Sequence, residues 1–495
     1  MTEQGSAISA GMHFIRKRWW LVLLVSVLLI IPCFWHRHIE AGDLGSHVYN
    51  AWLAQLIEKG QAPGLYLVRQ WDNVLFDFLA LYASDLFGFA AGEKIVVSFC
   101  ILIFFWGVFA FVGAMTGRPP WLLSPFIAML TYGYTFNMGF FNYYFSLGFA
   151  CFGLALCWRG KGIDWLVGMA LAPFVLLAHP LGFLWLLGTL LYVTVRRILP
   201  YWFRPIVPAT VIAALYGVRW YLWHRAKFEI DWSSPPFYFY NGSDQLLLYG
   251  DRYWLVVWLA LVFGGLSFAA DAFARRKDPA SWKDFVLPLE FYFIVVCATA
   301  FLPDNLRPPF YAGWIGLLIS RLTAISAIFA LCIMGLFQPR KWHLLGCGMC
   351  AAVFFFYVYQ DTRLLNQAES AAERLVSSLP PGTRIIPILN APADWRVRFI
   401  GHIVDRACIG HCFTYSNYEA PSEQFRVRAR HGSPLVTASA DDAEDMEGGT
   451  YEVQETDPRL TLIYQCSNHD LTKLCIHDLS EGDTTGKVAA QQPAE

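Results

Sequence analysis

Eleven mostly apolar stretches recur along this chain, near 19–35, 93–115, 121–136, 140–158, 163–178, 181–198, 205–223, 253–272, 285–302, 313–337 and 343–359. About 20 such residues cross a hydrocarbon core roughly 30 Å thick. No other feature constrains the fold as tightly. Lipid offers no partner to a backbone N–H or C=O, so these segments must be helical. The third and fifth are short. Charged residues make up only 15% of the chain and mean hydropathy is +0.41, whereas a soluble domain carries roughly 25% charge. The composition excludes disorder, collagen and coiled coil, and nothing in it points to nucleic acid.

Charge divides unevenly along the chain. Residues 1–359 hold 25 Lys/Arg against 18 Asp/Glu, while 360–495 hold 12 against 20. The membrane body is therefore expected over 1–359 and a soluble domain over 360–480, with a disordered tail at 481–495. With the N-terminus in the cytoplasm, every inner connection carries a basic residue: RKR at 16–18, GRPP at 117–120, WRGKG at 158–162, RRILPYWFR at 196–204, ARRKDPASWKD at 274–284 and QPRKW at 338–342. That is the positive-inside bias. An odd number of crossings then puts the C-terminal domain outside. The first span reads as an uncleaved start-transfer anchor, because no small-residue cleavage site follows it.

The first outer loop, 36–92, is long, and long loops with structure of their own are usually functional. Within it, 43–59 reads as an amphipathic helix stopped by Gly60 and Pro63, and 74–89 as a second helix lying at the interface. The C-terminal region reads as α+β. A helix at 361–378 is followed by strand-like runs at 383–389, 396–404, 424–430, 450–453, 460–466 and 472–479, with DDAEDMEGG as a solvated loop. The fold class is thus an all-α polytopic membrane protein of about eleven helices, with a C-terminal soluble α+β extracytoplasmic domain.

Eight of the twelve cysteines sit in apolar spans and read as small filler. Cys408, Cys412, Cys466 and Cys475 fall in the outer domain, where an even number suggests two disulfides. We take the local pairing, 408 with 412 and 466 with 475, among three connectivities. A zinc site using His402, His411 and those thiols is the rival, although no CxxC pair supports it.

The spans lack a phosphate loop, GxSxG, HExxH or paired metal ligands. Polar residues gather instead at the outer ends of spans. In HRHIEAGDLGSHVYNAWLAQLIEKGQAPG, Asp43 stands between Gly42 and Gly45 with His47 one turn on. Its plain role is to cap the following helix. Its chemical role is that of a general base for a hydroxyl nucleophile. Arg321 falls about 12–15 Å inside its span by helical rise. It therefore needs a partner such as a lipid phosphate, a carboxylate of another helix, or the outer surface by snorkelling. His179 stands at a turn between spans, Arg307 in a loop, and Asp72 in RQWDN. Outer-loop Glu229, Asp231, Asp244 and Asp251 are further acids. The aromatics of FNMGFFNYYF and PPFYFYNG suit sugar stacking, isoprenoid contact or interface anchoring.

Asp43, His47, Ala51, Gly60 and Pro63, with Leu86-Phe87-Gly88 closing the second loop helix, resemble the GT-C class of integral-membrane glycosyltransferases. Sharp agreement covers only residues 42–93. The resemblance implies Asp43 as the essential catalytic carboxylate, matches His47 within the same first-loop pattern, and gives an outer-side basic residue such as Arg321 the donor phosphate; Asp72, His179 and Arg307 are further substrate-binding candidates from their positions. It implies transfer from a polyprenyl-phosphate-linked sugar donor to a lipid, glycan or protein acceptor at the outer face of a bacterial inner membrane. The chain departs from the class pattern in its second acid, which is Glu40 or Asp72, and in lacking Pro-Pro-Leu and any DxD or WWD motif. No cofactor is therefore expected, and no motif supports a divalent metal. The rival classes are a transporter or flippase of lipid-linked glycans and a non-catalytic assembly subunit.

Overall fold

Arg18 breaks the first helix. In the computed structural model, which describes residues 7–490 except 161, 234–235, 237–238, 310–313, 339 and 468–469, α1 (Ala7–Ile30) is kinked there (φ −129°, ψ 23°). The kink falls where Arg16-Lys17-Arg18 gives way to apolar residues, and Trp19, Trp20, Leu23, Leu24, Val27 and Leu28 beyond it are exposed on an outer face. The first loop follows with α2 (Leu44–Glu58), β1 (Leu65–Leu67) and α3 (Leu75–Phe87). Next come α4 (Phe89–Thr116), α5 (Ser124–Thr131), α6 (Tyr134–Asn137), α7 (Phe141–Arg159), α8 (Ile163–Ala170), α9 (Ala172–Ala178), α10 (Pro180–Ile198), α11 (Ile206–Arg225), β2 (Glu229–Asp231), α12 (Tyr253–Arg275), α13 (Val286–Phe301), β3 (Asn305–Arg307), α14 (Leu318–Gly335) and α15 (Lys341–Ser377). The rest comprises β4 (Arg384–Ile388), α16 (His402–Cys408), β5 (Phe413–Thr414), α17 (Glu419–Ser422), β6 (Val427–Ala429), α18 (Ala440–Gly448), β7 (Leu460–Gln465), β8 (Leu474–Asp478) and α19 (Thr485–Ala490).

Among the described residues, eight helices are long and apolar enough to cross a membrane: α4, α7, α10, α11 with its leading turn, α12, α13 with its leading turn, α14 and α15. The other three stretches read as spans are interrupted or charged. The stretch 121–136 breaks into α5 and α6 at Tyr132-Gly133, and 163–178 restarts as α9 after Leu171, with Pro173 in its first turn. The helices approach closely where side chains are small. A Cβ on Gly107 of α4 would lie 2.3 Å from the carbonyl oxygen of Gly148 on α7, the small-residue contact typical of helices in lipid.

The connections at 117–120, 274–284 and 336–342 meet at one end of the bundle. Arg118 donates to the carbonyls of Gly335 (2.9 Å) and Phe337, and Asp271 accepts from Arg275 (2.7 Å) and from the backbone N–H of Gln338 (2.9 Å). Loop 36–88 joins the C-terminal region elsewhere. β1 pairs antiparallel with β6, Leu65 opposite Ala429 and Leu67 opposite Val427, and α16 packs on both α2 and α15. A second ribbon pairs β2 with β3, Glu229 opposite Arg307.

The C-terminal sheet runs β5-β4-β7-β8, with β4 parallel to β5 and β7, and β8 antiparallel to β7. Every residue of β7 is buried, as expected of a strand covered on both faces. Ile386, Met446, Leu462 and Val488 share a small separate core beside it.

Three expectations need correction here, and one junction takes a definite form. The position 359/360 falls inside α15, one helix of 37 residues that extends about 56 Å at 1.5 Å per residue. No Gly or Pro follows Gly348 within it, and its buried face continues through Leu365, Ala368, Ala372 and Val376. Residues 396–401 carry no strand, and α16 begins at His402. Arg396 and Val397 spend their backbone N–H groups on the carbonyl of Leu248 (2.9 and 3.2 Å) instead of a ladder. The acidic run folds as α18, because Ser439 accepts from the N–H of Asp442 (3.1 Å) and Asp441 and Asp442 suit the positive end of the helix. Residues 485–490 form α19, with Val488 buried, rather than a disordered end. Residues 491–495 lie outside the described residues, as do Phe237 and Tyr238 of PPFYFYNG.

Candidate functional site

Gly42 and Gly45 set the position of Asp43. Gly42 takes φ +38°, and a Cβ there would lie 2.4 Å from the carbonyl oxygen of Met138; a Cβ on Gly45 would lie 2.0 Å from that of His402. The chain can therefore press 42–45 between the α6–α7 turn and the start of α16. The backbone N–H of Asp43 donates to Met138 (3.2 Å), and its carbonyl accepts from His47 (3.0 Å). Its side chain makes no capping bond to α2. The carboxylate instead faces a cavity of about 680 Å³.

That cavity gathers residues from most of the chain. From the membrane body come Phe140, His179, Arg321 and the 314–317 segment; from the first loop, Asp43, Asp72 and Asn73; from the C-terminal domain, His402, Tyr418, Phe425, Glu444 and Glu447. Arg307 also lines it, and its guanidinium donates to Asp441 (2.9 Å), fastening α18 beside the opening. Arg321 stands one turn into α14, about 4.5 Å from the start of the helix by its rise. It is therefore shallower than the 12–15 Å expected from the span limits, because residues 314–317 are not helical. Its guanidinium lies 4.8 Å from the Phe140 ring centre and donates to the Gly316 carbonyl (2.6 Å). Tyr143 bonds the Arg321 carbonyl (2.6 Å) and meets the His179 ring edge-on. His179 accepts the Leu181 N–H (3.1 Å) and so also caps α10. Asp72 accepts from Gln70 (2.9 Å).

His47 is not brought to the cavity. It is buried behind Asp43, its Nδ1 2.8 Å from Asp77 and 3.5 Å from Glu419. Burial alone would lower its basicity, but Asp77, then Glu419 and Asp43, outweigh that and push it up to about 9. Glu419 is pushed up to about 8 by burial, which the charge of His47 only partly offsets. Glu40 is likewise directed away. It lies in a buried cluster where Arg406 reaches Glu369 (2.7 Å), Glu93 (2.8 Å) and Glu40 (3.5 Å). Burial and the neighbouring Glu369 hold Glu40 well above the usual carboxylate range. Asp244 is buried against Arg396 (2.8 Å).

Sequence reasoning did not assign the C-terminal contribution. Asp43 Oδ1 lies 3.3 Å from His402 Nε2, and His402 Nδ1 lies 2.7 Å from Asp405 Oδ2. Burial disfavours the imidazolium, yet bonds to Asp405 and Asp43 raise its basicity well above the ordinary histidine value. Glu447 opens onto cavity space but stands within the protein mass, and burial pushes it up to about 7 against the opposing pull of His402. The spacing of His402, Asp405 and Arg406 on one helical turn is a readable signal, but its target lies at the other end of the chain. Cys408–Cys412 and Cys466–Cys475 are disulfides, and His411 Nε2 lies 2.7 Å from the Leu379 carbonyl. The thiols and His402 of the alternative zinc set are thus engaged elsewhere. Among the described residues, no group of three or more His, Cys, Asp or Glu side chains is placed to hold a metal ion.

Fold and cavity together define a polytopic helical membrane protein with a small α+β domain closing over a chamber lined by charges of both signs. No family model matches the chain, and no curated protein matches it. Among solved structures it is similar to the crystal structure of ArnT from Cupriavidus metallidurans bound to undecaprenyl phosphate. The two share 12% identity over 90% of this chain and 93% of that one, with a TM-score of 0.46.

Proposed function

We propose that this chain is a membrane glycosyltransferase that moves a sugar from a polyprenyl-phosphate donor to an acceptor hydroxyl. The observation that carries the reading is that the Asp43 carboxylate and the Arg321 guanidinium line one cavity, which suits a base and a phosphate clamp acting on one substrate pair. In this reading 1–359 is the transferase body, the N-terminus is cytoplasmic, the cavity faces the outer side of a bacterial inner membrane, and the domain over 360–480 governs acceptor access. Asp43 takes the proton of the acceptor hydroxyl as its oxygen attacks the anomeric carbon. The C–O bond to phosphate breaks, and its electron pair leaves on the phosphate, whose charge Arg321 balances through its planar fork. The anomeric centre inverts. His179, Arg307 and Asp72 contact the donor or sugar, and the step uses no cofactor.

The test is Asp43→Asn in membranes supplied with a radiolabelled polyprenyl-phosphate sugar. Transfer should fall by about 10²–10⁴-fold, the usual range for losing a general base, with expression unchanged. Equal consumption by variant and wild type overturns the reading.

A further inference from the structure

His402 reaches Asp43 from a separate element, and the surroundings of the pair show more than a fastening of two domains. We propose that His402, steadied by Asp405, is a positioning residue for Asp43: the C-terminal domain supplies the group that pairs with the cavity carboxylate and orients it. The inference rests on the reading of Asp43 as the base.

Three observations support it. Both side chains line the same cavity, so their contact lies at the working surface and not in a packed joint. The ring is held at both nitrogens, Nδ1 by Asp405 at 2.7 Å and Nε2 towards Asp43 at 3.3 Å, leaving its orientation no freedom. The approach also requires Gly45, where any Cβ would strike the backbone of His402. A joint alone needs none of this, since β1–β6 pairing and the contacts of Arg406 with the Ile39 carbonyl (3.0 Å) and Glu40 (3.5 Å) already tie the same parts together. Apolar packing makes such a joint without the desolvation that buried charges carry. The titratable groups facing the pair are Asp405 on α16, Glu447 on α18 and Tyr418 before α17, with His47, Asp77 and Glu419 one layer back. Most are acidic, and the two basic groups among them, His402 and His47, approach Asp43 from different elements, His402 alone from within the cavity.

The experiment is an infrared titration of the full-length chain in detergent, with the Asp43 carboxyl band assigned by its loss in Asp43→Asn. In His402→Gln, which keeps a donor but removes the cation, that band should titrate about one pH unit higher than in wild type. Turnover should fall about tenfold with the donor KM within about twofold. Asp405→Asn, which frees the ring without removing it, should lower kcat in the same direction. Coincident titrations in His402→Gln and wild type overturn the proposal, as does an unchanged kcat in both variants. If Asp43→Asn leaves transfer intact, the base assignment falls while the infrared result still decides the pairing. If Asp43→Asn abolishes transfer and the titrations coincide, the pairing alone falls.

Discussion

The carboxylate of Asp43 and the imidazole of His402 stand 3.3 Å apart, one from the first loop and the other from the C-terminal domain. The cavity wall is complete only when those two regions are docked, so stability of the dock and activity of the site are linked.

Gly45→Ala tests that link by sterics alone. The new methyl would lie 2.0 Å from the His402 carbonyl oxygen, a backbone atom that cannot rotate away, so α16 must retreat. We expect a loss of about 1–3 kcal/mol, the range for overpacking, read as a lower thermal midpoint in detergent. Transfer should fall further than stability alone explains.

Arg321 carries the donor phosphate in the proposed reaction. Arg321→Ala should raise the donor KM by roughly ten- to a hundredfold, matching the loss of about 1.5–3 kcal/mol for a charged hydrogen bond. Arg321→Lys keeps the charge but not the fork, so it should recover only part of that affinity. Binding of a polyprenyl phosphate alone, measured by calorimetry, should follow the same order.

Arg406 pairs with three buried carboxylates, Glu40, Glu93 and Glu369. Arg406→Met should destabilise the chain by about 3–5 kcal/mol, because it strands buried charge. Adding Glu369→Gln and Glu93→Gln should restore part of the thermal midpoint. A midpoint unchanged in the single variant would contradict the cluster's role.

Above about pH 6.5 stability should fall as pH rises. His47 (about 9) and Glu419 (about 8), both buried, bind protons more tightly folded than unfolded. Each contribution is fully present below the unfolded value, roughly 6.5 for His and 4.3 for Glu, and is lost as pH climbs through the folded one. His38 and His179, whose basicity burial lowers, act in the opposite direction below about pH 6.5, so the decline in thermal midpoint should lie between about pH 6.5 and 9. Glu419→Gln should flatten its lower part and His47→Gln its upper part.

The amino-acid sequence by itself determined the helical elements that short-range periodicity encodes: the long apolar helices, α2 and α3 in the first loop, and strands such as β4, β7 and β8. It also showed polar residues collected in the first loop and at span ends, since a charge near lipid is rare enough to notice in one dimension. Along α15 apolar character gives way to charge without a helix breaker, so one helix continues through the change in composition. The acidic run of α18 was misleading, because charge density is not a measure of helicity once a capping serine is present. Only the tertiary structure decided which residues meet. It turned His47 inward to Asp77, buried Glu40 with Arg406, and brought His402, held by Asp405, and Glu447 to the Asp43 cavity. Those outcomes depend on contacts between segments 30 to more than 300 residues apart, and on the missing side chain of Gly45 letting two helix starts touch. Neither leaves a local periodic trace.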